Sequence, residues 1–280
     1  MKILAIGDFH GKFPVKLKKK IEARKSEIDL IVGLGDYADA DLIRKIIFKN
    51  WSGKKWYEVV GMKKAKELEK QGFNSGIKIL KELNKLRKPS YILWGNTDFY
   101  KEYTTNEPPI IMPGFFEDKI KNLKNLAILD KHKKKFKNIE FLGHGGYVDV
   151  TEFIKNPVDN DKKRIEKRLK RYQRDERRLT KLFLNKKPKK DFILAIHYAP
   201  LNVLDKVDYK GSPMHGKNVG WEPYNKVIKK YKPKLVLCGH MHEYQAKKKL
   251  GTSLVVNPGA AQDGKAAIID TETLKVEFLK

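Results

Sequence analysis

The sequence predicts an α/β protein whose core contains two β-sheets, with helices outside them. Five apolar segments of strand length recur along the chain, and apolar residues occupy both alternating positions of each. Such strands are buried on both faces, as in sheets covered by helices or by another sheet. Helical patterns lie between them, and alternating strand and helix is typical of α/β domains. The five segments are Lys2–Gly7, Asp29–Gly35, Ser90–Gly95, Asp191–Ile196 and Lys234–Gly239.

Two segments between these strands carry clear helix signals. Residues Lys63–Leu86 are rich in Lys, Glu and Leu, which favour helices. Residues Glu222–Tyr231 have Pro223 near the first turn and Pro233 just beyond the end, which are typical helix boundaries. We also predict that residues 151–190 form a basic helical insertion within a single domain spanning residues 1–280.

Five further segments indicate short strands with tight turns between them. We expect them to form hairpins of a second sheet packed on the first. The first five strands would then share one sheet. The shorter strands are Leu126–Asp130, Ile139–Gly143, Leu254–Gly259, Ala266–Asp270 and Leu274–Leu279.

Composition excludes several classes of protein. The chain has 280 residues, 40% of them hydrophobic, which suffices for one large domain with an insertion. It lacks a run of eighteen apolar residues, so a membrane-spanning helix is not expected. Cys238 is the single cysteine, which excludes an internal disulfide and a cysteine-based zinc site. Asp8 and His10 interrupt the N-terminal apolar run at once, which indicates a buried strand rather than a signal peptide, and we expect a cytoplasmic protein.

Metal-binding side chains follow directly after each of the first five strands. Ligands of α/β sheets lie beyond the carboxyl ends of the strands, so we expect these side chains to meet at one edge. The seven residues are Asp8, His10, Asp36, Asn96, His197, His240 and His242. Two carboxylates, one amide and four imidazoles suit Mn²⁺, Fe, Zn²⁺, Co²⁺ or Ni²⁺ better than Ca²⁺. Seven ligands are more than one tetrahedral ion binds, and they suit two ions that together bind a phosphoryl group.

The motifs that contain these residues resemble those of the calcineurin-like metallophosphoesterases. In chain order they read DFH, GD, GNTD, HYAP and GHMH, and they span residues 8–242. The resemblance implies a four-layer α/β/β/α sandwich, in which two mixed β-sheets are flanked by helices. It also implies two divalent metal ions, with Mn²⁺ favoured.

The resemblance further implies a role for each ligand. The first ion would be held by Asp8, His10 and His242, and the second by Asn96, His197 and His240. Asp36 would bridge the two ions. A hydroxide positioned between the ions would then attack phosphorus in line.

Three further residues are candidates for contacting the substrate. Thr97 stands where many members of the family carry a histidine that protonates the leaving group, a step typically worth about 10²–10⁴-fold. A branch of small phosphodiesterases also lacks that histidine. His144, in the sequence GHGG, and His215, in a loop after the His197 strand, are either substrate contacts or ordinary turn residues.

The charge of the chain is strongly positive, with 61 Lys and Arg against 34 Asp and Glu. Residues Asn160–Lys190 contain 15 Lys and Arg and four Asp and Glu. A thin apolar stripe, formed by Ile165, Leu169, Tyr172, Leu179 and Phe183, predicts a docked helix of about 25 residues. Its cations would suit a nucleic-acid backbone, and the candidates are Arg168, Arg171, Arg174 and Arg178. The alternative is a solvated basic insertion without a specific partner.

Three functions stay open from the sequence. A metal-dependent phosphoesterase, more specifically a phosphodiesterase, is favoured. A nuclease or nucleic-acid-binding phosphoesterase is the second, and a non-catalytic protein-interaction scaffold on the same fold is the third. Intact ligands argue against the scaffold, because unpaired Asp and His side chains have no structural reason to crowd one edge.

Overall fold

A computed structural model describes residues 1–51, 53–102, 110–157, 161–184 and 192–280. The strands are β1 (Lys2–Ile6), β2 (Leu30–Gly33), β3 (Ser90–Ile92), β4 (Leu126–Ile128), β5 (Lys133–Phe136), β6 (Ile139–His144), β7 (Phe192–Ile196), β8 (Leu235–Leu237), β9 (Ala246–Leu250), β10 (Ser253–Asn257), β11 (Ala266–Asp270) and β12 (Val276–Leu279). The helices are α1 (Val15–Ala23), α2 (Asp41–Lys49), α3 (Trp56–Val60), α4 (Met62–Lys85), α5 (Phe116–Ile120), α6 (Thr151–Lys155), α7 (Lys162–Lys181) and α8 (Glu222–Tyr231). None of the described helices is long and apolar enough to cross a membrane.

Two six-stranded sheets form the centre of the molecule. The first has the order β12-β11-β1-β2-β3-β4, and the second has the order β5-β6-β7-β8-β10-β9. Strands β1 to β4 are parallel, and so are β6, β7, β8 and β10. The remaining four strands pair antiparallel at the sheet ends. Both sheets are therefore mixed, as predicted.

The predicted division of strands between the sheets is wrong. Strands β7 and β8, expected beside β1, lie in the second sheet. The hairpin β11–β12 and strand β4, expected in the second sheet, complete the first one. Every strand apolar on both faces fits either sheet, because burial pattern alone does not encode the pairing partner. The residues predicted to bind metal consequently come from both sheets.

Three apolar layers confirm the four-layer order of helix, sheet, sheet and helix. Alternate residues of β1 serve different layers: Ile3 and Ala5 face the second sheet, whereas Leu4 and Ile6 face helices. Helices α1, α4 and α5 cover the first sheet. Helices α7 and α8 cover the second. The double-sided burial predicted from the sequence thus has a partner on each face.

Two strands were missed because their composition is that of a solvated loop. Strands β5 and β9 consist largely of lysine and occupy the two edges of the second sheet. Lysine on an edge strand opposes pairing with another chain. Edge strands of this kind lack the apolar run by which the other strands were recognised.

Helix α7 docks through a shorter apolar stripe than predicted. The Asp161 carboxylate caps its start by accepting hydrogen bonds from the backbone N–H groups of Lys163 and Arg164. Tyr172, Leu179 and Phe183 are buried as predicted, whereas Leu169 is 40% exposed. The helix has 20 residues instead of about 25. Residues 158–160 and 185–191 of the predicted segments lie outside the described residues.

The four arginines that were proposed to bind nucleic acid each have partners within the chain. Arg168 stacks its guanidinium over the Phe153 ring at 4.8 Å. Arg174 and Arg178 pair with Asp175, and Arg178 also pairs with Glu102. The prediction that this row faces a polyanion is wrong for Arg171, which is buried.

Arg171 forms a two-pronged ion pair beneath α7. Its Nε donates to Asp149 Oδ2 at 2.7 Å, and its Nη2 donates to Asp149 Oδ1 at 3.2 Å. The Asp149 side chain is fully buried, and Tyr147 donates a further hydrogen bond to it. A cation in this position holds the helix on the domain instead of presenting charge to solvent.

Replacement of Arg171 by glutamine is therefore expected to destabilise the fold. Removal of one partner leaves a buried, unpaired carboxylate, which should lower the free energy of unfolding by about 3 kcal/mol. Urea denaturation of Arg171→Gln and of Arg177→Gln, an exposed position on the same helix, measures the difference. Equal midpoints for the two variants would show that the ion pair does not stabilise the helix.

Candidate metal centre

The carboxyl ends of both sheets meet at one edge of the molecule and place the seven predicted side chains together. Two groups form there, and within each group the ligand atoms lie within 4.8 Å of one another. The first group contains Asp8, His10 and His242. The second contains Asp36, His197 and His240. Asn96 joins the second group, because its Oδ1 lies 2.9 Å from both His197 Nε2 and His240 Nδ1.

Asp36 lies between the two groups and turns one oxygen to each. Its Oδ2 is 3.6 Å from His10 Nε2, and its Oδ1 is 3.6 Å from His197 Nε2. Within the first group, His10 Nε2 is 3.1 Å from His242 Nε2, which is 3.9 Å from Asp8 Oδ1. A carboxylate in this position could serve as a ligand to two adjacent ions, one in each group.

The chemistry of the donors fits divalent cations. His197 Nδ1 lies 2.8 Å from the Leu34 carbonyl, so this nitrogen donates its proton there and Nε2 presents a lone pair to the site. Burial lowers the pKa of His240 to about 3, so its imidazole is neutral. Burial and the nearby Asp36 raise the pKa of Asp8. Converging lone pairs beside crowded carboxylates call for positive charge, and two metal ions would supply it.

The backbone at the ligands adopts an uncommon conformation. Four of the seven ligands have positive φ angles: 55° at Asp8, 42° at His10, 55° at Asp36 and 67° at His240. Each costs about 1–3 kcal/mol for a residue with a side chain. Hydrogen bonds between the loops hold this geometry, since the His240 N–H donates to Asp8 Oδ2 at 3.0 Å and the Asp8 N–H donates to the Gly35 carbonyl at 2.9 Å. The site is therefore preorganised at the expense of local backbone energy.

A family model described as "Metallophosphoesterase, calcineurin superfamily" matches residues 1–280. The chain belongs to the calcineurin-like metallophosphoesterase superfamily. This membership agrees with the motifs, the two mixed sheets and the paired ligand groups. The general activity of this family is metal-dependent hydrolysis of a phosphoester.

Comparison with solved structures agrees with the metallophosphoesterase fold. One crystal structure has a TM-score of 0.64 and 20% identity, covering 100% of this chain and 98% of the other. A Thermus thermophilus protein has a TM-score of 0.54 and 16% identity, with 99% and 97% covered. A dimetal phosphatase from Danio rerio has a TM-score of 0.50 and 11% identity, with 96% and 91% covered. At these identities the similarities show the fold alone. Among curated proteins none matches the sequence.

Thr97 serves the metallophosphoesterase site by holding the shared carboxylate. Its backbone N–H and its Oγ1 both donate to Asp36 Oδ1 at 2.9 Å. Gly95 lies two residues before Thr97, and a side chain at that position would collide with the Asp36 carboxylate. The hydroxyl predicted to contact substrate is therefore engaged in orienting Asp36.

Asp98 was missed by the sequence analysis, although it is the last residue of the GNTD motif. It is fully buried and accepts four backbone hydrogen bonds. The donors are the N–H groups of Asp36 at 2.9 Å, Tyr37 at 2.7 Å, Ala38 at 3.1 Å and Gly95 at 2.8 Å. The carboxylate thus ties the loop after β2 to the loop after β3, and both loops carry ligands. The sequence feature that could have indicated this role is an acidic residue in the loop after a strand, two residues beyond the predicted ligand Asn96.

The two remaining histidine candidates belong to neither ligand group. His144 is buried between the second sheet and its helices, stacked on Trp221 at 5.4 Å, with Nδ1 2.8 Å from the Tyr224 hydroxyl. The prediction that it lines a substrate pocket is wrong, because alternation along β6 directs it to the helix side. Burial also lowers the pKa of His144 to about 3. His215 is exposed in its loop, and its role in binding substrate stays a prediction.

Proposed function

We propose that this metallophosphoesterase is a dinuclear metal-dependent phosphodiesterase, with Mn²⁺ as the favoured ion. The observation that supports it best is the position of Asp36, whose two oxygens face one ligand group each. When bound, two such ions supply Lewis acidity at the phosphoryl oxygens and a water nucleophile activated at neutral pH. Asp8, His10 and His242 would hold one ion, and Asn96, His197 and His240 the other.

The residues of the chain set the geometry for that chemistry. Asp36 fixes the spacing of the two groups, and Thr97 and Asp98 fix Asp36. The His197 ring is held by the Leu34 carbonyl, so its lone pair keeps one direction. Preorganised ligands of this kind need no rearrangement when charge develops on the substrate.

Preference for diesters with good leaving groups follows from the position of Thr97. A threonine hydroxyl that donates to Asp36 is not available to protonate a leaving group. Without general acid help, worth about 10²–10⁴-fold, poor leaving groups react slowly. Aryl phosphates should therefore be cleaved much faster than simple alkyl phosphates.

The alternatives from the sequence have weaker support. A scaffold function does not require backbone strain at four ligands or a carboxylate shared between two groups. Nucleic-acid binding would depend on the outward lysines and arginines of α7, since Arg171 is committed to Asp149. That function, the cytoplasmic location and the single-domain assignment with an insertion stay predictions.

Hydrolysis of bis(p-nitrophenyl) phosphate tests the proposal. The purified chain with added Mn²⁺ should release p-nitrophenolate, and EDTA should abolish the release. Methyl p-nitrophenyl phosphate and dimethyl phosphate, assayed in parallel, compare an aryl with an alkyl leaving group. A rate that is insensitive to EDTA, or absent with Mn²⁺, Ni²⁺ and Co²⁺ alike, would contradict the proposed function.

A further inference from the structure

A chain of contacts links the loop that carries His10 to the loop that carries His242. We call it the contact ring, and it consists of Lys12, Asp41, Arg44, Phe48, Tyr209 and Glu243. It begins two residues after His10 and ends one residue after His242. The contact between His10 Nε2 and His242 Nε2, at 3.1 Å, closes it.

One half of the contact ring is charged. Lys12 Nζ lies 3.0 Å from Asp41 Oδ2, and Arg44 Nη2 lies 2.9 Å from Asp41 Oδ1. Asp41 therefore holds both cations beside the loop that carries His10. The Arg44 side chain stays 34% exposed, so it keeps donors for a further anion. Its planar guanidinium matches the two non-bridging oxygens of a phosphodiester.

The other half of the contact ring is aromatic. Phe48 lies four residues after Arg44 on α2, so the two side chains share a helix face. The Phe48 ring contacts the Tyr209 ring at a centroid distance of 6.3 Å. The Tyr209 N–H donates to Glu243 Oε1 at 3.4 Å, which ties this loop to the residue after His242. The two aromatic rings thus come from distant segments of the chain, and the Tyr209 loop contacts the residue that follows a proposed metal ligand.

Solvent reaches the ligands inside the contact ring. The side chain of His242 is 19% exposed, whereas that of Asp8 is 1% exposed. Tyr209 is 54% exposed, so its ring face is available to a further planar group. Helix α2 carries apolar residues at five of nine positions, yet none of its residues is buried. Phe48 also contacts the Trp51 ring at 6.4 Å, and Leu42 is 49% exposed, so the apolar face of this helix is only partly covered by the chain.

We propose that the contact ring binds the organic part of the substrate, and that this part is a planar aromatic group such as a nucleoside base. Arg44 would bind the phosphate oxygens, while Tyr209 and Phe48 would stack on the planar group. The inference rests on the proposed phosphodiesterase function and names its substrate class. Lys12 and Asp41 act as positioning residues for Arg44.

Two esters with the same leaving group test the inference. Thymidine 5′-(p-nitrophenyl phosphate) and ethyl p-nitrophenyl phosphate both release p-nitrophenolate, so they differ only in the group that is retained. In the wild type, kcat/KM should be at least about tenfold higher for the thymidine ester, in the range of base stacking on an aromatic side chain. Tyr209→Leu and, separately, Phe48→Leu should remove most of that preference.

Two further variants separate the parts of the contact ring. Arg44→Gln should lower kcat/KM for both esters by a similar factor, because both carry the phosphate. Tyr57→Leu, at a half-buried tyrosine of α3 outside the contact ring, should leave the preference unchanged. Thermal melting of each variant establishes that it is folded.

The outcomes distinguish this inference from the function on which it rests. Equal kcat/KM for the two esters in the wild type would overturn the aromatic site while metal-dependent hydrolysis stands. A preference that survives both Tyr209→Leu and Phe48→Leu would overturn the assignment to the contact ring. Hydrolysis of neither ester with Mn²⁺ would overturn the proposed function and this inference together.

Discussion

Replacement of Asp36 by alanine is expected to lower kcat/KM for bis(p-nitrophenyl) phosphate by about 10³-fold or more. The carboxylate faces both ligand groups, at 3.6 Å from a histidine of each. Its loss removes a ligand from both proposed ions. Metal ions lower the activation free energy by several kcal/mol, and about 1.4 kcal/mol corresponds to a tenfold change in rate. Steady-state rates at saturating Mn²⁺ measure the effect.

A matched control separates this effect from a general loss of charge. Asp118 is a carboxylate on α5 that forms ion pairs with Lys101 and Lys121 on the surface. Asp118→Ala should keep the wild-type rate, because exposed ion pairs contribute little to stability. If Asp36→Ala were as active as Asp118→Ala, the shared position of Asp36 would have no role in hydrolysis.

Replacement of Asp98 by alanine is expected to have the largest effect on stability. Four buried N–H groups would lose their acceptor, and an unsatisfied buried group costs about 1–3 kcal/mol, so the free energy of unfolding should fall by about 4 kcal/mol or more. Denaturation in EDTA measures this loss without a contribution from bound metal. Because two of the donors belong to Asp36 and Gly95, the Mn²⁺ concentration for half-maximal activity should also rise by about 10–100-fold.

Asp98→Asn provides the graded comparison. It preserves the size of the side chain but replaces one acceptor oxygen by an amide group, so the loss of stability should be smaller than in Asp98→Ala. Unfolding and Mn²⁺ activation curves for both variants would then rank in the same order. An Asp98→Ala protein with wild-type stability and metal requirement would exclude the role of Asp98 in tying the two loops.

The apolar strands and the grouping of the candidate ligands were predictable because both depend on local sequence. A buried strand followed by a glycine and a polar side chain can be read without knowledge of the fold, as at Gly35 and Asp36. The pairing of strands was not predictable in this way, since the partner of β1 at its antiparallel edge is β11, more than 260 residues later. A segment buried on both faces fits either sheet.

Side-chain environment was the other part that the sequence could not provide. His144 and Arg171 look like site and surface residues in the sequence, yet both are buried among partners that arrive from distant segments. Asp98 illustrates the converse, because its four donors come from two different loops. Local pattern identifies which residues can do chemistry, whereas the fold decides which of them meet.

The number of Mn²⁺ ions bound by each chain tests the dinuclear centre most directly. Equilibrium dialysis of the wild type, His242→Ala and His197→Ala, followed by elemental analysis, gives this number without any dependence on a substrate. We expect two ions in the wild type, and one in each variant at a Mn²⁺ concentration that saturates the intact group. A wild type that binds no Mn²⁺, Ni²⁺, Co²⁺ or Zn²⁺, or two variants that both retain two ions, would contradict the assignment of these side chains as ligands.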